Sequence, residues 1–227
     1  MKFGILQFPG TNCEQDAFHA LTFMGANPEY VWHKESDLSS YDALVLPGGF
    51  SYGDYLRSGA IARFSPVMQE LVHFAQSGKP VIGICNGFQI LTEAHLLPGA
   101  LIRNKHLKFL CKTVHLRVED SVCQWLDAAP GTRFDIPISH HDGNFICSDE
   151  TLAELEENRQ IVLRYCEEDK SITPTSAPNG SLASIAGICN KQGNVFGLMP
   201  HPERVVDGVA GSTQGQAFFK RIIDTLS

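Results

Sequence analysis

The sequence contains little that points to a membrane or a nucleic acid. No apolar run approaches the roughly 18 residues that a membrane-spanning helix needs. The 18 Lys and Arg residues are outnumbered by 25 Asp and Glu, for a formal net charge of −7, so the chain lacks the basic surface of a nucleic-acid-binding protein. We therefore expect a small-molecule substrate, no nucleic-acid partner and no membrane.

The cysteines lack the spacing of a disulfide framework or a zinc ribbon. There are 7, an odd number, and none belongs to a CxxC pair. The start of the chain, MKFGILQFPG, is too short and too strand-like for a signal peptide. These features predict a reduced, cytoplasmic protein without a metal site.

Linkers and phosphate-binding loops are also absent from the sequence. No Ser/Gly/Pro-rich stretch or charge block divides the 227 residues, so we expect one domain over residues 1–227. Neither GxxxxGK[ST] nor GxGxxG occurs. Chemistry that consumes a nucleotide is therefore expected on another chain.

Short apolar runs alternate with longer amphipathic stretches over the first hundred residues. This alternation predicts an α/β fold with a doubly wound, mostly parallel sheet flanked by helices. Gly25 and Gly78 each follow a periodic stretch and predict helix ends. From about residue 109 the segments become strand-rich, and residues 215–227 predict a closing helix.

The segment KPVIGICNGFQ, residues 79–89, carries an apolar strand directly into a helix-like sequence. A sharp strand-to-helix turn strains its apex residue and requires small neighbours, a need that Gly83 and Gly87 meet. At the apex, Cys85 would face the positive end of the next helix, which stabilises a thiolate. Most free cysteines are simply buried small side chains, so this nucleophile elbow needs a partner base to be convincing.

The segment LMPHPER, residues 198–204, offers that base after another apolar strand. Pro202 favours extended backbone at His201, which places His201 and Glu203 on the same side of the chain. A carboxylate on one imidazole nitrogen fixes the tautomer and leaves the other nitrogen to exchange a proton with a nucleophile. By itself the segment is typical of a polar loop, but together with Cys85 it predicts a Cys-His-Glu triad.

The segment LVLPGGFSYGDYLRSG, residues 44–59, leaves a third apolar strand through a glycine pair. Strand ends line the ligand crevice of parallel α/β sheets, so this loop should lie beside the elbow. The N–H groups of Gly49 and Asn86 are candidate oxyanion donors. A plain glycine turn does not explain the polar and aromatic run that follows, and we interpret the loop as substrate-contacting. Its candidate contacts are Gly48, Asp54 and Arg57.

Two of these motifs, GICNGFQ and MPHPER, resemble the class I glutamine amidotransferases, whose fold is flavodoxin-like. The block PGGFSYGDYLRSGAIARF is similar to one branch of that family, the glutaminase subunits that serve purine synthesis. Further stretches, such as GTNCEQDAFHAL and RNKHLKF, extend the resemblance over nearly the whole chain.

The resemblance implies hydrolysis of the side-chain amide of L-glutamine to glutamate and ammonia. Cys85 would form a glutamyl thioester, His201 would act as general base and acid, and Glu203 would orient His201. The family pattern also implies an oxyanion hole and a glutamine-binding side chain, formed by Gly49 with Asn86 and by Gln89.

The resemblance further implies partners. Ammonia would pass to a separate synthetase subunit, which uses ATP and magnesium to convert formylglycinamide ribonucleotide to formylglycinamidine ribonucleotide. A small third subunit would complete the assembly, and this chain would need no cofactor. His141, Asp142 and Ala177 depart from the family pattern, which has glycine, glutamate and asparagine there. His140 and His141 are interpreted as polar surface residues.

Other functions stay open at this point. An elbow cysteine also serves peptidases, γ-glutamyl hydrolases and stress proteins of related fold. Amidotransferase subunits for guanine, cytidine, carbamoyl phosphate or anthranilate synthesis share the triad but are not expected to carry GGFSYGDYLRSG. A redox-sensing or scaffold domain would use Cys85 alone and would not need His201.

Overall fold

The structure of the chain is a computed structural model that describes residues 1–226. Helices flank a nine-stranded sheet, and two further strands form a separate ribbon. The strands are β1 (Lys2–Gln7), β2 (Asn27–Trp32), β3 (Ala43–Leu46), β4 (Val81–Ile84), β5 (Ala100–Ile102), β6 (Leu110–Val118), β7 (Arg133–His140), β8 (Asn144–Ile146), β9 (Ile161–Cys166), β10 (Ile185–Cys189) and β11 (Val195–Leu198). The α-helices are α1 (Glu14–Phe23), α2 (Pro66–Gln76), α3 (Asn86–Glu93), α4 (Asp149–Glu157) and α5 (Ala217–Leu226).

The large sheet has the strand order β2-β1-β3-β4-β11-β10-β9-β6-β7. Neighbouring strands run parallel from β2 through β11, which confirms the predicted doubly wound parallel sheet in this half. From β11 through β7 each pair is antiparallel, and these strands come largely from the strand-rich sequence after residue 109. The β5–β8 ribbon lies outside the sheet.

Burial explains why the two halves differ in sequence pattern. Every residue of β3 and β4 is buried, as expected for central parallel strands covered on both faces. Along β7, buried and partly exposed residues alternate, as in an antiparallel strand with one face on the core. The carboxyl end of β4 therefore lies at the centre of the sheet, and this position holds the predicted elbow.

The helix ends agree with the sequence signals. Helix α1 stops just before Gly25, which has φ +83°, and α2 stops just before Gly78, which has φ +88°. Both glycines adopt the left-handed conformation that commonly ends a helix. The predicted closing helix is confirmed as α5, except for Ser227, which lies outside the described residues. No helix within residues 1–226 has the length and apolar character to cross a bilayer.

Candidate active site

Cys85 is the apex of a sharp turn between β4 and α3. Its backbone has φ 52° and ψ −104°, a strained conformation for a residue that is not glycine. A Cβ on Gly83 would lie 2.7 Å from the carbonyl oxygen of Gly87, and a Cβ on Gly87 would lie 1.9 Å from that of Leu46. The two glycines are therefore required by close backbone packing, as the sequence predicted for an elbow.

The position of Cys85 at the start of α3 brings backbone donors close to its thiol. Asn86 is the first residue of the helix, and a first-turn N–H has no acceptor within its own helix. The Cys85 side chain is buried but lines a cavity, and its Sγ lies 3.7 Å from the carbonyl oxygen of Ser139. The thiol thus faces an enclosed space beside the positive end of a helix.

His201 reaches the same edge of the sheet because β11 runs parallel to β4. Leu198 pairs with Ile84 at the ends of these strands, and the N–H of Cys85 donates to the carbonyl oxygen of Leu198 at 2.8 Å. His201 follows Leu198 by three residues. Neighbouring parallel strands end at one edge of a sheet, so His201 and Cys85 meet there although they are far apart in sequence.

His201 and Glu203 form a buried pair. Nδ1 of His201 lies 2.6 Å from Oε1 of Glu203, and both side chains are about 1% exposed. This contact directs the Nδ1 proton to the carboxylate. Nε2, the other ring nitrogen, has no hydrogen-bond partner within residues 1–226. The contact between His201 and Glu203 that the sequence predicted is therefore present.

Electrostatics keep a proton on His201. Burial lowers the pKa of its imidazole, but the charges of Glu203 and Cys85, together with the hydrogen bond to Glu203, outweigh burial and leave that pKa raised. His201 can therefore hold a proton next to the Cys85 sulfur. This is the arrangement that proton exchange between a thiol and an imidazole requires.

A second cysteine, which sequence reasoning did not single out, also lies beside His201. Cys13 precedes α1, and its Sγ, a ring nitrogen of His201 and a carboxylate oxygen of Glu203 all lie within 4.8 Å of one another. Nη2 of Arg204 donates to the Cys13 sulfur at 3.1 Å. Burial, with the charge of Glu203, raises the pKa of Cys13 to about 12, so its thiol stays protonated at neutral pH.

The two cysteines differ in ways that favour Cys85 as the nucleophile. Cys13 has an unstrained backbone, with φ −102° and ψ 13°. Cys85 has the strained apex conformation and the start of an eight-residue helix immediately after it. Both line the cavity, but only Cys85 combines exposure to it with backbone donors for a developing oxyanion.

The loop after β3 lies against the elbow, as predicted. An isolated bridge joins Thr11 to Gly49, through bonds from Asn12 N to Gly48 O at 3.3 Å and from Phe50 N to Gly10 O at 2.9 Å. Neither bond uses the N–H of Gly49. Gly49 is also one of the residues that line the cavity. Gly49 has φ +146°, and a Cβ there would lie 2.7 Å from the nitrogen of Asn12, so only glycine fits.

Gly48 packs against His201, and the side chain of Gln89 makes two hydrogen bonds within the chain. A Cβ on Gly48 would lie 2.9 Å from Cε1 of His201, so Gly48 makes room for that ring. The amide of Gln89 donates to the carbonyl oxygen of Asp142 at 2.6 Å and accepts from Nδ2 of Asn86 at 2.8 Å. These hydrogen bonds connect the start of α3 to the segment after β7. Gln89 also lines the cavity.

The two charged residues that were predicted to contact substrate from the loop after β3, Asp54 and Arg57, lie in different surroundings. Asp54 lines the cavity, whereas the structure does not bring Arg57 to it. Nε of Arg57 is 2.5 Å from Oε1 of Glu93, and the Arg57 side chain is 57% exposed.

The interpretation of His140 as a surface residue is wrong, because His140 is 3% exposed and lines the cavity. Its place in the alternating pattern of β7, as the last of the inward-facing residues, was the feature that could have predicted its burial.

Comparisons with known proteins agree with the sequence resemblance. The family model described as a CobB/CobQ-like glutamine amidotransferase domain matches residues 1–221. Phosphoribosylformylglycinamidine synthase subunit PurQ of Moorella thermoacetica is 51% identical over 226 residues, which cover 99% of this chain and 96% of that protein. The PurQ subunit of Gloeobacter violaceus is 52% identical over 225 residues, 98% of this chain and 97% of that protein.

Solved structures lead to the same family. A chain in the structure of PurLQS from Thermotoga maritima superposes with a TM-score of 0.88 at 41% identity, covering 100% of this chain and 99% of that chain. A glutamine amidotransferase from Thermotoga maritima has a TM-score of 0.57 at 16% identity, covering 99% of this chain and 81% of that chain, and shares the fold. With these matches over its full length and the elbow at Cys85, the chain belongs to the glutamine amidotransferase family, in the group of the PurQ subunits.

Proposed function

We propose that this chain is the glutaminase subunit of a phosphoribosylformylglycinamidine synthase. It hydrolyses L-glutamine to glutamate and ammonia, and it supplies the ammonia to an ATP-dependent synthetase subunit that makes formylglycinamidine ribonucleotide. The observation that carries the proposal is the apex thiol of Cys85 beside the buried His201–Glu203 pair, in a chain with 51% identity to a PurQ subunit.

The geometry supports a two-step reaction. Sγ of Cys85 attacks the side-chain amide carbon of glutamine as a thiolate, while His201 holds the proton that it has taken from the thiol. The N–H groups of Gly49 and Asn86 stabilise the oxyanion of the tetrahedral intermediate. The C–N bond then breaks, His201 returns the proton to the leaving nitrogen, and ammonia and a glutamyl thioester result. Water, deprotonated by His201, attacks the thioester and releases glutamate, and the proton returns to the Cys85 sulfur.

Glu203 holds His201 in the productive tautomer. In the Glu203→Gln variant we expect kcat for glutamine hydrolysis to fall by about 10³-fold, with KM changed by less than about threefold, because the negative charge on the Nδ1 side is lost. Steady-state ammonia release by the complex with the synthetase subunit measures this. Glu154→Gln is the matched control, since Glu154 is 64% exposed and pairs only with Lys191. A Glu203→Gln variant as fast as the control would remove Glu203 from the mechanism.

The acceptor half of the reaction is proposed to lie on other chains. This sequence has no phosphate-binding loop, and the Thermotoga maritima relative with the TM-score of 0.88 belongs to an assembly named PurLQS. ATP and magnesium would therefore be used by the synthetase subunit, with a small third subunit in the complex. We place the assembly in the cytoplasm, where the seven free thiols would stay reduced.

Covalent capture tests the nucleophile without requiring efficient turnover. We expect a chloroketone analogue of glutamine to label the complex at Cys85 only, because the analogue places its electrophilic carbon where the amide carbon would lie. Peptide mapping by mass spectrometry locates the adduct, and excess L-glutamine should prevent it. An adduct at Cys13, or one spread over several cysteines, would contradict the assignment of Cys85.

A further inference from the structure

Two carboxylates that no step above uses lie at the wall of the active-site cavity. Asp54 comes from the loop after β3 and Asp142 from the segment after β7, and both line the cavity together with Cys85. Oγ of Ser58, which also lines the cavity, donates to Oδ2 of Asp142 at 2.9 Å. Oδ1 of each carboxylate is buried and has no hydrogen-bond partner. Nδ1 of His141 lies 3.2 Å from Oδ1 of Asp142 without hydrogen-bond alignment.

No arginine nearby neutralises this carboxylate pair. Arg57 is engaged by Glu93, and Arg204, on the Cys13 side of the cavity, pairs with Asp16 at 3.1 Å. Burial and the charge of Asp142 outweigh the opposing effect of the Ser58 hydroxyl and raise the pKa of Asp54 to about 6. Two neighbouring carboxylates that no arginine pairs with, each with an unpartnered oxygen, make the cavity suited to a cationic ligand group.

A third polar group in the cavity also lacks a partner. His140 is 97% buried, lines the cavity, and has no hydrogen-bond partner at Nδ1. Nδ2 of Asn179 lies 3.3 Å from Nε2 of His140, and it also contacts the carbonyl oxygen of Gly143 and the hydroxyl of Tyr165. The two amide protons of Asn179 have nearer acceptors in Gly143 O at 2.7 Å and Tyr165 OH at 3.1 Å, so Nδ1 is the ring nitrogen of His140 that has no partner in the described part of the chain.

Burial and a neighbouring charge keep the His140 ring neutral. Burial, and then the neighbouring His201, lower the pKa of His140 to about 3, so its ring is neutral at physiological pH. The neutral ring carries one proton, and its unpartnered Nδ1 is a buried polar atom of a residue that lines the cavity. The cavity therefore combines unpaired carboxylate oxygens with an unpaired imidazole nitrogen, a combination suited to a ligand that has a cationic group and a second polar group.

We propose that Asp54 and Asp142 form the subsite for the α-ammonium group of the amino-acid substrate, and that Nδ1 of His140 hydrogen-bonds to another polar group of the same substrate. The inference rests on the proposed glutaminase function and adds how the enzyme selects a free amino acid over other amides. The ammonium offers three donors, which satisfy the unpaired Oδ1 atoms of both carboxylates. Binding also replaces the repulsion between the two carboxylates with attraction to a shared cation.

The test compares L-glutamine with 5-amino-5-oxopentanoate, the same amide without the α-amino group, as substrates of the complex. In the Asp54→Asn and Asp142→Asn variants we expect kcat/KM for glutamine to fall at least about 10-fold, chiefly through KM, because each loses a charged hydrogen bond to the ammonium. For the deamino amide we expect kcat/KM to change by less than about twofold. The ratio of the two values separates ammonium recognition from a general effect on the site.

Two further variants sharpen the comparison. Asp142→Glu keeps a carboxylate and should retain most of the preference for glutamine. Asp37→Asn removes an exposed carboxylate whose hydrogen-bond partner within residues 1–226 is Ser39, and it should leave kcat/KM for both substrates unchanged. The melting temperatures of Asp54→Asn and Asp142→Asn should equal or exceed that of the wild type, since each removes a repelling charge, and this checks that the variants fold.

The outcomes distinguish this subsite from the function on which it rests. Equal losses for both substrates, or an unchanged ratio in an active wild-type background, would overturn the subsite and leave the glutaminase function intact. Failure of the wild-type complex to hydrolyse either amide would overturn the proposed function and the subsite together. A lowered glutamine preference in both asparagine variants, retained in Asp142→Glu, supports the proposal.

Discussion

The Cys85→Ala variant is expected to lose ammonia release from glutamine by at least about 10⁴-fold, whereas Cys13→Ala should retain at least a third of the wild-type rate. The first change removes the atom that would form the thioester, and the donors that remain can support only a small residual rate. The second removes a protonated thiol that contacts Arg204 and packs beside His201 but lies outside the elbow. Ammonia release by each variant in complex with the synthetase subunit measures both expectations.

Binding of the synthetase subunit serves as the control for this pair. Each substitution trims one small buried side chain, so we expect both variants to form the complex with unchanged affinity. The opposite pattern, activity without Cys85 and inactivity without Cys13, would transfer the role of nucleophile to Cys13. Both cysteines lie close to the His201–Glu203 pair, so this comparison discriminates between them directly.

The Gly87→Ala variant is expected to lose about 3 kcal/mol or more of unfolding free energy, the upper range for an overpacked core. Helix propensity alone predicts the opposite sign, since alanine in a helix is about 1 kcal/mol more favourable than glycine. The contact decides the outcome: the new Cβ would lie 1.9 Å from the carbonyl oxygen of Leu46 in the central strand β3. Backbone at the centre of a sheet cannot move aside as a flexible side chain would, so α3 and the elbow must shift instead.

Gly211→Ala is the matched control for this effect. Its Cβ would meet nothing within 4 Å, and only the left-handed backbone, with φ +80°, resists the substitution. That conformation costs about 1 kcal/mol in a residue with a side chain. Denaturant unfolding measures both free energies. A Gly87→Ala variant as stable as Gly211→Ala would show that α3 does not pack against β3 as closely as described.

Several features of the fold and the site could be predicted because local patterns carry them. Continuous apolar runs indicated the buried strands β3 and β4, and Gly25 and Gly78 marked the ends of α1 and α2. The Cys85 elbow was predictable because a strand-to-helix turn places steric demands on residues within a few positions of its apex. The contact between His201 and Glu203 followed from their i, i+2 spacing in extended chain.

Tertiary structure decided which of these local features lie together. The parallel pairing of β11 with β4, between residues more than a hundred positions apart, brings His201 to Cys85. Strand pairing also buries His140 and places Asp142 near Asp54, while an ion pair with Glu93 draws Arg57 away from the cavity. The position of Cys13 beside His201 depends on a distant segment in the same way.

The division has a physical reason. Side-chain periodicity, turn sterics and proline restraints act within a few residues, so the sequence by itself determined the class of fold, the elbow and the spacing of the acid–base pair. Strand order, burial and the balance of charges around a cavity depend on contacts between distant segments, whose free energies enter only when the core is packed. Only the tertiary structure therefore decided that two carboxylates line the cavity, each with an oxygen that has no hydrogen-bond partner among the described residues, and that the second cysteine lies beside His201.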